Sequence, residues 1–426
     1  MQSKTRKVAI LGGNRIPFAR SNTAYTGISN QEMLTAAIDG LVARFNLEGE
    51  RIGEVAAGAV LKHARDFNLA RESVLSTRLA PETPAVDLQQ ACGTGLQAAI
   101  YLANKIALGQ IDSGIAGGTD TTSDAPLAIG DKLRKKLMVV NAAKDNKSRL
   151  AALAKIKPTD FGLEIPRNGE PRTGLSMGDH AALTALEWRI TREDQDELAV
   201  ASHKNLAAAY ERGFQDDLIT PFRGLERDQN LRADSSVEKL STLKPVFGKG
   251  EAATMTAANS TPLTDGASAV LLASEEWAKE HDLPVLAYFS DAETAAVDFV
   301  HGGEGLLMAP TYAVPRLLAR NGLSLQDFDY YEIHEAFASQ VLSTLAAWED
   351  EVFCKMRLGL DSPLGAIDRS KLNVTGSSLA AGHPFAATGG RIIAVLAKLL
   401  AEKGEGRGLI SICAAGGQGV TAIIER

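Results

Sequence analysis

Apolar residues along this chain follow two rhythms, short unbroken runs and stripes at helical spacing, and their alternation predicts an α/β protein. Residues 8–11, 55–60, 113–118, 269–273, 330–333, 372–374 and 409–412 are small or apolar runs flanked by glycine or polar positions, the form of buried strands. Between them, 31–45 places Leu34, Ala37, Ile38, Leu41 and Val42 on one helical face. Further helices are expected at 69–79, 96–108 and 388–401. Thr191 with Asp194 three residues on predicts another helix start, and Gly213 its stop. Residues 223–251 are polar and read as a loop. Gly12-Gly13-Asn14-Arg15-Ile16-Pro17 reads as a structural turn, since no G-x-G-x-x-G follows the first strand.

The stretch 87–99, DLQQACGTGLQAA, passes from a strand end at about residue 90 through small residues to a helix beginning near Leu96. Cys92 is thereby expected at a tight turn facing a helix N-terminus, which favours negative charge and lowers a thiol pKa. Three further reactive groups are expected at turns: His383 in Gly-His-Pro, Cys413 before Ala414-Ala415-Gly416-Gly417, and His334 at the start of a helix. Strand ends in open α/β sheets are where ligands bind. A cysteine with a histidine base can form an acyl-thioester, with His383 taking the proton and Cys92 attacking a carbonyl. A second thiol, Cys413, suits proton transfer at carbon, and the backbone N–H groups that follow it suit an oxyanion. Taken singly, each group has an ordinary reading as a packed cysteine or a core histidine. Cys354, on an expected helix at 351–358, has no such turn and reads as structural. Both halves show a strand, a turn bearing Cys92 or His383, a helix, and a strand beside a glycine pair. A repeated α/β unit would bring the two turns to one face.

Composition narrows the class. The 426 residues are 45% hydrophobic, enough for two or three domains' worth of core, and the net charge of −7 argues against a nucleic-acid binder. Three cysteines make no disulfide framework and suit a reducing compartment. The first apolar run is too short for a signal peptide, and no run approaches the ~20 residues of a membrane span, so a cytoplasmic protein is expected. Residues 131–157 carry a net +7, leaving −14 elsewhere, with Leu133, Leu137, Val140, Leu150, Leu153 and Ile156 interleaved. Such a segment suits an acidic partner or an anionic membrane surface; a solvated helical face is the plainer alternative.

Together these segments resemble the thiolase family over nearly the whole chain. QACGTGLQA resembles its nucleophile turn, HEAFA its Asn-Glu-Ala-Phe motif, NVTGSSLAAGHPFAATGGR its Gly-His-Pro motif, and CAAGGQG its Cys-x-Gly-Gly-Gly motif. SMGDHA and TAANSTPLTDGAS are similar to its substrate-loop stretches. The resemblance implies a thiolase fold: two βαβαβαββ halves in a five-layered α/β/α/β/α sandwich with an inserted loop domain. The implied divisions are 1–121 with 256–280, the loop domain 122–255, and 281–426. It implies Cys92 as the acylated nucleophile, His383 as its activator, Cys413 as the acid/base at carbon, and His334 holding a water or the thioester oxygen. It further implies an oxyanion hole from the N–H groups of Cys92 and Ala415, and a pantetheine tunnel lined by Met177, Thr261, Ala336 and Phe337. No metal and no cofactor is implied, coenzyme A being a substrate.

Two positions depart from the common pattern: His334 stands where most thiolases have Asn, and Ala415 replaces a glycine. Both, like the basic insert, resemble the branch that serves as β subunit of fatty-acid oxidation complexes. The implied activity is thiolytic cleavage of 3-ketoacyl-CoA to acetyl-CoA and a shortened acyl-CoA. The implied assembly is a dimer, a tetramer or an α2β2 complex with a hydratase/dehydrogenase subunit, with peripheral membrane contact through 131–157. A biosynthetic acetoacetyl-CoA thiolase, a ketoacyl synthase-like enzyme and a non-catalytic thiolase-like subunit are the alternatives.

Overall fold

The computed structural model describes residues 5–250 and 252–426; Lys4 with the rest of 1–4, and residue 251, lie outside that description, so the expected divisions 1–121 and 122–255 are open at those points. Five strands build one half-sheet: β1 (Val8–Arg15), β2 (Glu54–Ala57), β3 (Ala85–Asp87), β4 (Ser113–Asp120) and β5 (Thr264–Ser274). Four build the other: β6 (Ala287–Ala296), β7 (Tyr330–Ile333), β8 (Arg407–Ala414) and β9 (Gln418–Glu425). The order is β3-β2-β4-β5-β1 and then β6-β9-β8-β7. β1 and β6 share two paired positions only, Ala9 with Tyr288 and Ile10 with Ala287, so the half-sheets meet at a narrow seam.

Each half repeats one pairing scheme. β3, β2 and β4 run parallel, and β5 is antiparallel to β4 and β1. β7 and β8 run parallel, and β9 is antiparallel to β8 and β6. Leu372 makes a single parallel bridge to Tyr331 at the place beside β7 that β3 takes beside β2.

Three apolar layers alternate with the half-sheets, because side chains on successive strand positions point to opposite faces. Leu34, Ile38 and Leu41 of α1 (Asn30–Arg44) cover Ala9, Leu11 and Leu271 on the outer side of the first half. Val314 and Leu317 of α2 (Pro310–Asn321) cover Ile333, Leu409 and Ile423 on the outer side of the second. Between the halves lie α3 (Thr94–Ala107) and α4 (Thr388–Lys403), whose Leu96, Leu102, Ile392 and Leu396 meet Ile10 and Val270 on one side and Ile410 and Val420 on the other. A helix between two sheets has no wet face, and 12 of the 16 residues of α4 are buried. Helix, sheet, helix, sheet, helix is the expected five-layered order.

The central helices touch backbone to backbone. A Cβ placed on Gly389 would lie 2.2 Å from the Leu96 nitrogen, and one on Gly95 would lie 2.7 Å from the Ala386 carbonyl oxygen. No side chain fits between them.

Several expected elements differ. The first strand runs on to Arg15 through a bulge between Ile10 and Gly12, so Gly12–Arg15 is strand and not turn; β5 supplies its partners. α3 begins at Thr94, two residues early. Residues 372–374 form no strand, because Asn373 adopts φ +46° and spends its side chain on the backbone of Ile333 and on Glu335. His334 precedes its helix, which starts only at Ala338. The loop at 223–251 contains a short helix, Val237–Ser241, and a short strand, Pro245–Phe247.

The Gly389→Ala variant forces the central helices apart. Overpacking of this kind costs about 1–3 kcal/mol, so its unfolding midpoint is expected to fall; an unchanged midpoint in thermal or denaturant unfolding would contradict the close contact.

Candidate active site

The turn carrying Cys92 is pinned before the helix begins. Ala91 adopts φ +46°, a left-handed conformation that costs a residue with Cβ about 1–2 kcal/mol. The Thr94 hydroxyl holds it there, donating to the Ala91 carbonyl at 2.7 Å and accepting the Gln90 N–H at 2.9 Å. The turn carrying His383 belongs to the second half but is held by the first. The His383 N–H donates to Thr264 Oγ1 at 2.7 Å, and the Ala386 N–H donates to Asp120 Oδ2 at 2.9 Å. With the two helices in contact, His383 Nε2 lies 3.1 Å from Cys92 Sγ. His383 Nδ1 meets Thr388 Oγ1 at 2.6 Å, which fixes the ring.

A second imidazole completes the group. The His334 ring centroid lies 4.1 Å from that of His383, and its Nδ1 is 2.8 Å from Ser378 Oγ. Arg391 Nη2 donates to Ser377 Oγ and Ser378 Oγ at 3.0 and 3.1 Å. A guanidinium only donates, so Ser378 accepts from it, and the same hydroxyl either donates to His334 Nδ1 or accepts from it according to the ring's tautomer. Among the described residues His334 Nε2 meets no partner. Glu335 clamps the surrounding loops, accepting from the Ser202 hydroxyl, Asn373 Nδ2 and the Leu379 N–H at 2.7, 2.8 and 3.1 Å.

Cys413, near the end of β8, is buried in a cluster with Met177, Ala336 and Phe337. Thr261 joins them by donating its N–H and hydroxyl to the Ala336 carbonyl at 3.1 and 2.9 Å. The backbone N–H groups of Ala415 and Cys92 favour the Cys92 thiolate, so both lie near its sulfur. Gly416 and Gly417 sit at φ +80° and +70°, whereas Ala415 keeps negative φ, so the alanine fits the turn without strain. Glu170 Oε1 accepts the Gly416 N–H at 2.7 Å and braces the same turn. Every expected site residue therefore comes to one region. Cys354 does not: it is buried elsewhere against the carbonyls of Ala347 and Trp348.

Electrostatics correct one expectation. Burial pushes the Cys92 thiol up to about 12, and the bonds from the Ala415 and Cys92 N–H groups offset this only in part. The helix N-terminus expected to lower the thiol is outweighed by loss of water. Burial and then the Arg391 charge push His383 down to about 3. His334 lies well below its usual range, through burial first and the His383 and Arg391 charges next. Burial, with the neighbouring Cys92, holds Cys413 well above the ordinary thiol range. The resting site is a set of neutral thiols and neutral imidazoles.

The sequence profile described as thiolase, N-terminal domain, matches residues 8–276, and that described as thiolase, C-terminal domain, matches 283–426. The chain belongs to the thiolase family. This thiolase is 40% identical to a 3-ketoacyl-CoA thiolase of Pectobacterium atrosepticum over 425 residues, covering 98% of this chain and 96% of the relative. A 3-ketoacyl-CoA thiolase of Serratia proteamaculans is also 40% identical, with 98% and 97% covered. Among solved structures, acetyl-CoA acetyltransferase of Bacillus anthracis superposes with a TM-score of 0.82 at 30% identity over 100% of both chains. Human mitochondrial 3-ketoacyl-CoA thiolase in complex with CoA gives 0.81 at 27% identity, covering 99% and 98%.

Sequence reasoning about this thiolase missed Asp120, Thr264, Ser378, Thr388 and Arg391. The last three lie inside the Gly-His-Pro segment, and a lone arginine among the small and apolar residues of 388–397 is the available signal. Asp120 and Thr264 sit at strand ends with no local mark, and Glu170 lies in a loop seven residues before Met177. A cavity of about 1170 Å³, lined in part by Arg6, Tyr288, Asp329, Lys403 and Arg426, opens away from the site and contains none of its residues.

A raised thiol keeps its proton until pH nears about 12, and a lowered imidazole takes one only near about pH 3. The ultraviolet thiolate difference between wild type and Cys92→Ser is therefore expected to stay flat from about pH 5 to 9, although ordinary thiols titrate near about 8.5. A thiolate step below about pH 8 would overturn the neutral pair.

Proposed function

We propose that this thiolase is a 3-ketoacyl-CoA thiolase of fatty-acid β-oxidation, cleaving 3-ketoacyl-CoA with CoA to acetyl-CoA and a shortened acyl-CoA. The observation that carries the reading is the 3.1 Å contact between His383 Nε2 and the half-buried Cys92 Sγ, with the buried thiol of Cys413 in the same region. Sequence similarity to proteins named 3-ketoacyl-CoA thiolase supports the substrate class.

The steps follow from the donors available. His383 takes the Cys92 thiol proton as the sulfur attacks the 3-keto carbon, and the N–H groups of Cys92 and Ala415 receive the developing oxyanion. The C2–C3 bond breaks toward an acetyl-CoA enolate, whose oxygen meets the His334 Nε2–H. Cys413 gives its proton to the α-carbon, leaving acetyl-CoA and an acylated Cys92. CoA then enters along Met177, Thr261, Ala336 and Phe337 and passes its thiol proton to the Cys413 thiolate. Its sulfur attacks the acyl-thioester, and His383 returns the proton to Cys92. The mutual repulsion of the two thiolates favours this order, since Cys92 is already a neutral thioester when Cys413 gives up its proton.

Cys92→Ser is expected to lower turnover by at least about 10³-fold, and wild type incubated with 3-ketoacyl-CoA alone should show an acyl mass on the Cys92 peptide. Cys413→Ala should still acylate Cys92 from acyl-CoA but lose carbon–carbon cleavage by about 10²–10⁴-fold. Full turnover in Cys92→Ser, or no separation of the two half-reactions in Cys413→Ala, would refute the assignment. The similarity to an acetyl-CoA acetyltransferase favours a second reading, the acetoacetyl-CoA thiolase; rates that fall as the ketoacyl chain lengthens would select it.

The basic insert supports a partner surface. Its helices, Asp131–Ala142 and Asn146–Leu153, bury only Leu133 and Ala152. Met138, Val139 and Leu150 stand exposed beside Lys132, Lys144 and Lys147, for which no carboxylate partner occurs among the described residues. Apolar side chains set among free cations suit an anionic lipid surface, with the enzyme working in the cytoplasm, where its free thiols stay reduced. An acidic α subunit in an α2β2 complex is the competing partner, and homodimer or tetramer formation the simpler assembly. Replacing Lys132, Lys144 and Lys147 with Gln should abolish salt-dependent flotation with anionic vesicles; flotation at wild-type level would show a solvated face only. No helix among the described residues is long and apolar enough to cross a membrane.

A further inference from the structure

We infer that the catalytic pocket is also an inhibitory site for a soft divalent cation of tetrahedral preference, Zn²⁺ above all, bound by Cys92 Sγ, His383 Nε2 and His334 Nε2. The three residues each offer a ligand atom, and these atoms lie within 4.8 Å of one another. A tetrahedral zinc with Zn–S of about 2.3 Å and Zn–N of about 2.0–2.1 Å needs its ligand atoms about 3.3–3.6 Å apart. Cys92 Sγ and His383 Nε2 stand at 3.1 Å, so this pair opens by about half an ångström to admit the ion. The remaining closure is side-chain rotation of His334, whose ring lies 4.1 Å from that of His383.

The second ring is what turns a nucleophile–base pair into a metal site. His334 is fully buried, and its Nε2 has no hydrogen-bond partner among the described residues. Its other nitrogen is held at 2.8 Å by Ser378 Oγ, which is in turn anchored by Arg391. Metal-bound histidines are oriented in this way, through the nitrogen that faces away from the ion. His383 is held likewise, its Nδ1 at 2.6 Å from Thr388 Oγ1. One thiolate and two imidazoles are the donor set that zinc prefers over calcium or magnesium. Water or an incoming thiol would complete the tetrahedron at the fourth position.

Binding balances without a redox partner. The Cys92 S–H proton leaves to solvent as the Zn–S bond forms. His383 offers the Nε2 lone pair it uses as a base. His334 binds the ion as its Nδ1–H tautomer, with that N–H donating to Ser378 Oγ and Nε2 free to ligate. The ion and the acyl group compete for the same sulfur, so acylated enzyme cannot bind it. Thiolases with Asn at position 334 lack the third donor, and the site is specific to chains with this histidine.

The test is metal binding to the whole protein, read without turnover. Zn²⁺ affinity is measured by competition with a chromophoric chelator, and Cd²⁺ is added separately to report sulfur ligation through its ultraviolet charge-transfer band. Wild type is expected to take one ion per chain, with the Cd²⁺–thiolate band present. His334→Asn should weaken binding by at least about 10-fold. Cys92→Ser should lose the band together with the ion, and prior acylation should block both. Ser378→Ala is expected to weaken binding less than His334→Asn does. No stoichiometric ion in wild type overturns the inference, and so does equal affinity in wild type and His334→Asn, which would place the ion elsewhere. Circular dichroism on each variant guards against misfolding, and an unfolded His334→Asn is replaced by His334→Gln. A chain that binds zinc as described but does not cleave ketoacyl-CoA would refute the proposed function and leave the metal site standing.

Discussion

Contact between the backbones of α3 and α4 sets the distance on which the chemistry depends. Cys92 lies two residues before one helix and His383 five residues before the other, and neither turn can move unless its helix moves. Glycines at 95 and 389 remove the side chains that would hold the helices a full ridge apart. Each helix is in turn wedged between two half-sheets, so their separation is fixed by six or more strands and not by a loop. A sulfur and an imidazole separated by 291 residues of chain thereby meet within hydrogen-bond reach.

The same burial that fixes the geometry sets the protonation. In water a thiol and an imidazole have pKa values about two units apart, and a helix N-terminus narrows that gap. Inside this fold the charged forms of both groups are disfavoured together, which leaves thiol and imidazole neutral at rest. Arg391 adds to this by placing a positive charge near both imidazoles while reaching His334 only through Ser378. In the proposed mechanism charge appears only as bonds form to the substrate, and the N–H groups of Cys92 and Ala415 would receive it. A site of this kind suits acyl transfer, in which an oxyanion forms and collapses without a standing ion.

Repetition of one α/β unit explains why the two halves divide the labour. The first half supplies the Cys92 turn through β3 and α3, and the second supplies the His383 turn from the corresponding place beside β7 and α4. The divergence lies in what each turn carries and in what lies between. Thr264 and Asp120 of the first half hold the base turn of the second, so the site exists only when the halves are joined. The basic insert, with most of its apolar side chains in solvent, contributes nothing to that core, and its physical meaning lies at the surface.

Local signals were strong where the chain marks its own structure. Strand β7 and the span of α1 follow from periodicity within a residue or two, and the small-residue turns at 91–95 and 413–417 mark Cys92 and Cys413 as candidate reactive groups. The family motifs added the layer order and the cast of residues. What the chain could not state locally is anything decided by solvent exclusion or by partners distant in sequence. Gly12–Arg15 is strand because β5 lies beside it, and 372–374 is not strand because Asn373 is spent on its neighbours. The thiol of Cys92 is raised and not lowered because burial, a property of the whole fold, outweighs the helix end beside it. The sequence alone determined which residues can react; only the tertiary structure decided how far apart they stand and which of them are charged, because distance and dielectric are set by packing across the two halves.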